Sequence, residues 1–92
     1  MLKIDIWPEA QDFLDTIAAK QQQQVSAKIF FLAETPTPPS SKLLKDYKPL
    51  RRFRSGDYRI IYFVEKDVLR IPLIDKRGDD KIYRMVTRKY KK

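Results

Sequence analysis

Arginines and tyrosines alternate with apolar residues in two segments of this 92-residue chain. The first is LRRFRSGDYRIIYFV, residues 50–64, and the second is DKRGDDKIYR, residues 75–84. A guanidinium makes paired hydrogen bonds to phosphate, and a tyrosine ring can stack on a base. Because the chain contains neither histidine nor cysteine, these residues must carry most of any chemistry on RNA. The pattern predicts a surface that holds phosphate and stacks bases.

Cleavage of RNA by its own 2′-hydroxyl needs a base for that hydroxyl, compensation for the charge on the phosphorane, and a proton for the 5′ leaving oxygen. Arginine suits the second requirement, but it stays protonated and is a poor base. In-line positioning of the 2′-oxygen is an alternative to a base. The arginines predicted to clamp the phosphate are Arg52, Arg54 and Arg59, and the candidate bases are Tyr58, Tyr83, Asp75, Asp79 and Asp80.

The same residues also have a structural interpretation. Cross-strand charge pairs could join the arginines to Asp57, Glu65 or Asp75. The acids of this region are too few to pair with every arginine, which favours a binding role. Tyr58 and Tyr62 share a strand face with apolar residues, so core packing is the favoured interpretation for both.

Positive charge is concentrated in the second half of the chain. The formal net charge is +8, with −2 on residues 1–41 and +10 on residues 42–92. Such asymmetry favours a polyanionic partner, although charge that only keeps the protein in solution is the simpler alternative. The absence of cysteine excludes disulfides and thiolate metal sites, and no metal or cofactor is expected. The apolar runs are too short to span a membrane, and no signal peptide is recognised, which predicts a cytoplasmic protein without membrane contact.

The hydrophobic pattern predicts a strand and two helices before residue 35. Leu2, Ile4 and Ile6 alternate with polar residues, as in a half-buried strand. Pro8 is suited to the first turn of a helix. The polar run at residues 20–24 interrupts the apolar stripe, which favours a helical hairpin, with one continuous helix as the alternative. The apolar stripes consist of Ala10, Phe13, Leu14 and Ile17, then Val25, Ile29, Leu32 and Ala33.

Antiparallel strands are predicted after a proline-rich loop at residues 35–41. The alternation in the first of them puts Arg52 and Arg54 on one face and Arg51 and Phe53 on the other. A turn at residues 55–57 leads to a strand over 58–65, and a turn at 66–67 leads to another over 68–75. Pro72 requires a strand edge or a bulge. Residues 81–92 form a basic tail.

These elements predict one domain, residues 1–92, of the two-layer α+β class. An N-terminal strand and a helical hairpin would pack on a small antiparallel sheet in the order β-α-α-β-β-β. The sheet face opposite the helices would then be exposed, and it is the predicted site.

The pattern LRRFRSGDYRIIYFVEKDVLRIPLIDKRGDDKIYR, after two helices and a proline-bearing loop, resembles the RelE/ParE superfamily of toxins from bacterial and archaeal toxin–antitoxin pairs. The resemblance covers essentially the whole chain. Its most specific part is a basic strand, a glycine turn, Tyr-Arg, an apolar Ile-Ile-Tyr strand, and an arginine followed six residues later by tyrosine.

The resemblance implies roles for individual residues. Arg59 matches the arginine that holds the scissile phosphate, and Arg77 matches the one that stabilises the transition state and can protonate the leaving oxygen. Tyr83 matches the tyrosine beside the cleaved nucleotide. Arg52 falls where RelE has a lysine implicated as general base, and Leu50 falls where RelE has a second lysine.

The basic neighbours of these residues are expected to contact RNA. One of them stands where the family often has histidine, just before the late arginine. The expected RNA-binding residues are Arg51, Arg54, Lys76, Lys81 and Arg84, of which Lys76 replaces that histidine.

The resemblance also implies a function. RelE-type members cleave mRNA in the ribosomal A site, and they would leave a 2′,3′-cyclic phosphate. ParE-type members inhibit DNA gyrase and lack the RNase residues. The sequence favours the RelE-like endoribonuclease, with the ParE-like inhibitor and a non-enzymatic nucleic-acid-binding module as alternatives. The implied partners are mRNA, the ribosome and a cognate antitoxin, in a hetero-oligomer with the toxin.

Overall fold

Two helices lie against one face of a five-stranded mixed sheet in a computed structural model of the protein. The structure describes residues 1–76 together with Arg84 and Arg88. In space the strands follow the order β1-β5-β4-β3-β2. The elements are β1 (Lys3–Ile6), α1 (Pro8–Thr16), α2 (Ala19–Glu34), β2 (Lys42–Leu43), a 3₁₀ helix (Lys45–Tyr47), β3 (Arg51–Ser55), β4 (Tyr58–Glu65) and β5 (Val68–Asp75).

The predicted two-layer α+β class is confirmed, and the sheet contains two features that the sequence did not reveal. β1 pairs with β5 in parallel, with Ile4 opposite Leu69 and Ile6 opposite Ile71, so the sheet is mixed rather than antiparallel. This pairing lets the apolar side chains of β1 pack against the helix-side core. The two-residue strand β2 pairs with β3 and is too short to show a period in the sequence.

The predicted helical hairpin is confirmed, but its break lies earlier than the glutamines. α1 ends at Thr16 and α2 begins at Ala19, so the run at residues 20–24 belongs to α2. Glutamine has good helix propensity and does not end a helix. The side chain of Gln22 instead donates a hydrogen bond to the carbonyl oxygen of Leu14 at 2.8 Å, which satisfies a carbonyl of the last turn of α1.

Both helices bury their predicted apolar stripes against the sheet. The larger hydrophobic cluster joins α1 and α2 to the helix-side face of β3, β4 and β5. Tyr62 is fully buried there and Tyr58 packs at the edge, so the prediction of core packing is confirmed for both tyrosines.

The opposite face of the sheet is only partly exposed, and the prediction of an open face was wrong. Ile61 and Leu73 lie on it and are covered by Leu44 and Leu50, which flank the 3₁₀ helix. Tyr47 of that helix packs against the same cluster. Four apolar side chains thus remove the middle of this face from water. The accessible part is the end near the β3–β4 turn.

The strands β4 and β5 have the predicted bounds. The register shifts between Ile61, opposite Leu73, and Phe63, opposite Arg70, so β5 holds one extra residue in this interval. Pro72 lies in it, as its missing amide donor requires. In the β3–β4 turn, Gly56 has φ +61°, a backbone conformation that glycine adopts without steric cost.

A charged network ties β1 to β5 on the sheet face opposite the helices, which is called the far face below. Arg70 donates to Asp5 at 2.6 Å and to Glu65 at 2.8 Å. The hydrogen bond that Arg70 donates to Asp5, followed by the one it donates to Glu65, raises the pKa of the Arg70 guanidinium above its ordinary value. Trp7 Nε1 also donates to Asp5, and its ring meets Phe63 edge-on.

Within the described residues no helix has both the length and the apolar character needed to cross a membrane.

Candidate nucleic-acid interface

Three arginines come together at the accessible end of the far face. Arg52 lies opposite Ile61, and Arg54 lies directly opposite Arg59 on the neighbouring strand. Side chains directly opposite in an antiparallel pair have Cβ atoms about 4.5–5.5 Å apart. Arg52 is a diagonal neighbour of Arg59 on the same face, within reach of a long side chain. Arg52, Arg54 and Arg59 are called the arginine cluster below.

Within the described residues, the strand register places one carboxylate against the arginine cluster. Asp75 lies opposite Arg59 on β5, which places one carboxylate beside three arginines. Arg59 Nη1 donates to the carbonyl oxygen of Asp57 at 2.9 Å. Arg54 is exposed and makes no hydrogen bond or ion pair with any residue in the described part of the chain. Among the described residues, the cross-strand register thus sets Asp75 opposite Arg59 and sets no acid opposite Arg54.

Like charges directly opposite each other on two strands destabilise a sheet. The Arg54–Arg59 pair is such an arrangement. A bound polyanion would relieve the repulsion, because each phosphate oxygen accepts hydrogen bonds from a guanidinium. The geometry therefore suits a phosphate held between two strands.

Some predicted site residues do not belong to this cluster. Arg51 faces the other side of β3 and donates twice to Ser41 Oγ, from Nε at 3.1 Å and from Nη2 at 2.9 Å. Leu50 is 2 % exposed and belongs to the far-face core. Lys76 and Arg84 are exposed. Outside the described residues lie Arg77, Lys81 and Tyr83 and two candidate bases, Asp79 and Asp80.

Of the candidate bases within the described residues, only Asp75 faces the arginine cluster. Tyr58 lies opposite Ser55 on the helix side of the sheet, and its ring meets that of Phe13 edge-on at 5.8 Å. The prediction of Tyr58 as a base was therefore wrong. Strand alternation is the reason, because adjacent residues of β4 point to opposite faces.

Replacing Ser41 with alanine should destabilise the fold without affecting the arginine cluster. Its buried hydroxyl accepts both bonds from Arg51 and donates to the carbonyl oxygen of Pro38 at 2.9 Å. Loss of a buried hydrogen-bonding group costs about 1–3 kcal/mol. We expect Ser41→Ala to lower the free energy of unfolding by about that amount in urea titrations. The exposed neighbour Ser40 provides the control, and an equal loss in Ser40→Ala would contradict this assignment.

Sequence reasoning missed a cleft on the helix side of the same turn. It has a volume of about 220 Å³. The residues that line it come from α2, the β3–β4 turn and the end of β5, and they include Gln21, Gln24, Ser55, Asp57, Tyr58 and Lys76. The available signal was the i, i+3 spacing of the two glutamines, which puts both on one helix face.

Comparisons with known proteins agree with this fold. The family model of the ParE toxin of the type II toxin–antitoxin system parDE matches residues 4–81. No curated protein sequence matches the chain.

Among solved structures, the isolated Escherichia coli RelE toxin is 18 % identical, with a TM-score of 0.73, and the match covers 97 % of this chain and 98 % of that one. A mutant of E. coli RelE in the free state has a TM-score of 0.78 at 18 % identity, covering 97 % of each chain. An archaeal RelE–RelB complex from Pyrococcus horikoshii is similar at 24 % identity, covering 85 % of this chain and 97 % of that chain, with a TM-score of 0.73. These similarities are to the fold, whereas the family model matches most of the sequence. The chain belongs to the ParE/RelE family of toxins of type II toxin–antitoxin systems.

Proposed function

We propose that this toxin is a RelE-like endoribonuclease that cleaves mRNA on the ribosome. The main support is the like-charge pair Arg54–Arg59 on an accessible face, where Arg54 is exposed and Asp75 lies opposite Arg59. Two forked guanidinium groups on adjacent strands suit a phosphate that gains negative charge during a reaction.

In the proposed reaction the 2′-oxygen of the RNA attacks the neighbouring phosphorus while its proton passes to a base. Arg54 and Arg59 hold the non-bridging oxygens, and their hydrogen bonds strengthen as charge develops on the phosphorane. Asp75 is the described carboxylate placed to take the proton, and in-line positioning contributes further. The bond to the 5′-oxygen breaks, that oxygen takes a proton from water or, as the resemblance implies, from Arg77, and a 2′,3′-cyclic phosphate remains.

The resemblance adds residues to this proposal. Arg77 would stabilise the transition state, Tyr83 would lie beside the cleaved nucleotide, and Arg52 would occupy the position of the RelE lysine. We also propose that basic neighbours contact the RNA backbone, where each neutralised phosphate releases counterions. These are Lys76, Lys81 and Arg84.

We propose a cognate antitoxin as the protein partner. Two of the similar structures are toxin–antitoxin complexes, the RelE–RelB complex of P. horikoshii and the RelBE complex of E. coli. With a charge of +10 on residues 42–92, an acidic segment is the complementary partner. It would cover the charges that RNA needs, and so would inhibit the toxin. mRNA, ribosomes and antitoxin would place the protein in the cytoplasm.

The second candidate function is ParE-like inhibition of DNA gyrase. It is favoured by the match to the ParE toxin model over residues 4–81. Leu50 is also buried, so its position offers no counterpart of the second RelE lysine. The arginine cluster would then bind an anionic surface of the gyrase complex rather than a scissile phosphate.

Two assays on the purified protein separate these functions. Toe-printing on translating ribosomes should show cuts within the A-site codon, and a gyrase supercoiling assay should show no inhibition. Relaxed plasmid without mRNA cleavage would instead establish the ParE-like function. Salt-dependent RNA binding with neither activity would indicate a binding module and overturn both proposals.

A further inference from the structure

The cleft beside the β3–β4 turn has polar groups without partners. Ser55 is 5 % exposed and lines the cleft. Its hydroxyl makes no hydrogen bond with any residue in the described part of the chain. The hydroxyl lies at the wall of an open recess, where it can both donate and accept a hydrogen bond. A polar ligand in the cleft would satisfy it.

The glutamines of α2 differ in whether their side-chain amides have hydrogen-bond partners. Gln22 donates to Leu14 and so has a structural role, and Gln23 is exposed outside the cleft. Gln21 and Gln24 line the cleft, and neither amide has a hydrogen-bond partner among the described residues. Two primary amides thus face the recess with both donors and acceptors available.

The cleft and the arginine cluster share the strand ends at the β3–β4 turn. Ser55 follows Arg54 on β3, and Tyr58 precedes Arg59 on β4, so the strand ends carry the cluster on one face and the cleft on the other. Asp57 joins the two sites, because its carbonyl oxygen accepts from Arg59 at 2.9 Å and the residue also lines the cleft. A chain crossing this turn would meet both sites in succession.

We propose that the cleft binds one unpaired nucleobase of the RNA whose neighbouring phosphate is held by the arginine cluster, and that Gln21, Gln24 and Ser55 read the edge of that base. The inference rests on the proposed function in that the arginine cluster binds RNA. It adds a residue set that determines base preference.

The chemistry of the cleft fits a base. Primary amides pair with base edges through adjacent donor and acceptor groups, and an aromatic ring offers a stacking surface. Tyr58, which is half-buried at the wall, provides the ring. A volume of 220 Å³ is below the roughly 300–1,000 Å³ of pockets for drug-sized ligands, and suits a single planar ring system.

The test measures binding of uncleavable RNA. Four 2′-O-methyl pentanucleotides of the form UUXUU, with X as each of the four bases, are titrated into ¹⁵N-labelled protein. We expect the side-chain amide signals of Gln21 and Gln24 to shift on binding, and one base to bind about tenfold or more tightly than the weakest. The variants Gln24→Ala and Ser55→Ala should reduce this difference several-fold and retain the RNA-induced shifts of the Arg54 and Arg59 Nε signals.

Gln23→Ala is the matched control, one residue away on the same helix and outside the cleft, and its base preference should equal that of the unchanged protein. Amide spectra of each variant establish that it is folded. Shifts at the arginine cluster without shifts at Gln21 and Gln24, or absence of RNA binding, would overturn the inference. Equal base preference in Gln24→Ala and Gln23→Ala would also overturn it.

Failure of the proposed function gives a different result. If mRNA on the ribosome remains uncut while RNA shifts the side-chain amide signals of Gln21 and Gln24, the nuclease function is refuted and the base-binding cleft is supported.

Discussion

Arg59→Ala is expected to lower A-site cleavage about 100- to 1,000-fold, the loss typical when one donor to a developing oxyanion is removed. Arg59 lies between Arg54 and Asp75 in a row across three strands, so its removal leaves the centre of the proposed phosphate site empty. Arg54→Ala should reduce cleavage in the same direction. Single-turnover toe-printing at saturating ribosome concentration measures the chemical step separately from binding.

The charge-conserving variant tests whether the guanidinium fork matters. Arg59→Lys retains one positive charge but loses the planar, bidentate geometry. We expect it to recover RNA affinity more fully than cleavage. Lys28→Ala is the control for net charge, because Lys28 is exposed on α2, in the layer opposite the arginine cluster. If Lys28→Ala reduces cleavage as strongly as Arg59→Ala, overall charge rather than this site explains the activity.

Stability provides an independent criterion for the same pair. Arg54 and Arg59 lie opposite each other on β3 and β4, and like charges so placed repel, so removing the exposed Arg54 should leave the free energy of unfolding unchanged or slightly raise it. A residue that costs stability and supports activity is typical of a functional site. Marked destabilisation by Arg54→Ala would instead indicate that its role is structural.

The sequence predicted the parts of the fold that depend on local pattern. Alternation located β4 and β5 and placed Arg52 and Arg54 on one face, and the two helical stripes became the helix side of the core. The local pattern does not reveal which strands distant in sequence pair with each other. The parallel contact between β1 and β5 joins residues more than 60 positions apart, and no local period encodes it.

The site was predictable to a similar extent. Periodicity grouped Arg52 with Arg54, but the opposition of Arg54 and Arg59 depends on the register set by the turn. The role of Arg51 depends on a loop hydroxyl ten residues away. The cleft joins α2 to the β3–β4 turn, so its glutamines looked like an ordinary polar stretch in the sequence.

Tyr62→Ala is expected to have the largest effect on stability, a loss of about 3–5 kcal/mol, as for other large aromatic residues in a core. The ring is fully buried in the helix-side cluster. Its hydroxyl donates to the carbonyl oxygen of Pro36 at 2.7 Å, across 26 residues of sequence. Because domains are stable by only about 5–15 kcal/mol, this variant should be largely unfolded at moderate urea concentrations.

Tyr62→Phe separates the two contributions of this side chain. It retains the ring and leaves the Pro36 carbonyl without its donor, for which we expect a loss of about 1–2 kcal/mol. The loop at residues 35–41 leads into β2, so this hydrogen bond helps to hold the strand that pairs with β3.

Urea titrations followed by the fluorescence of the single tryptophan, Trp7, measure the stability of both variants. Phe30→Ala, at a side chain that is 54 % exposed, should lose no more than about 0.5 kcal/mol. Equal losses in Tyr62→Phe and Tyr62→Ala would show that the hydrogen bond, rather than ring packing, dominates the contribution of Tyr62.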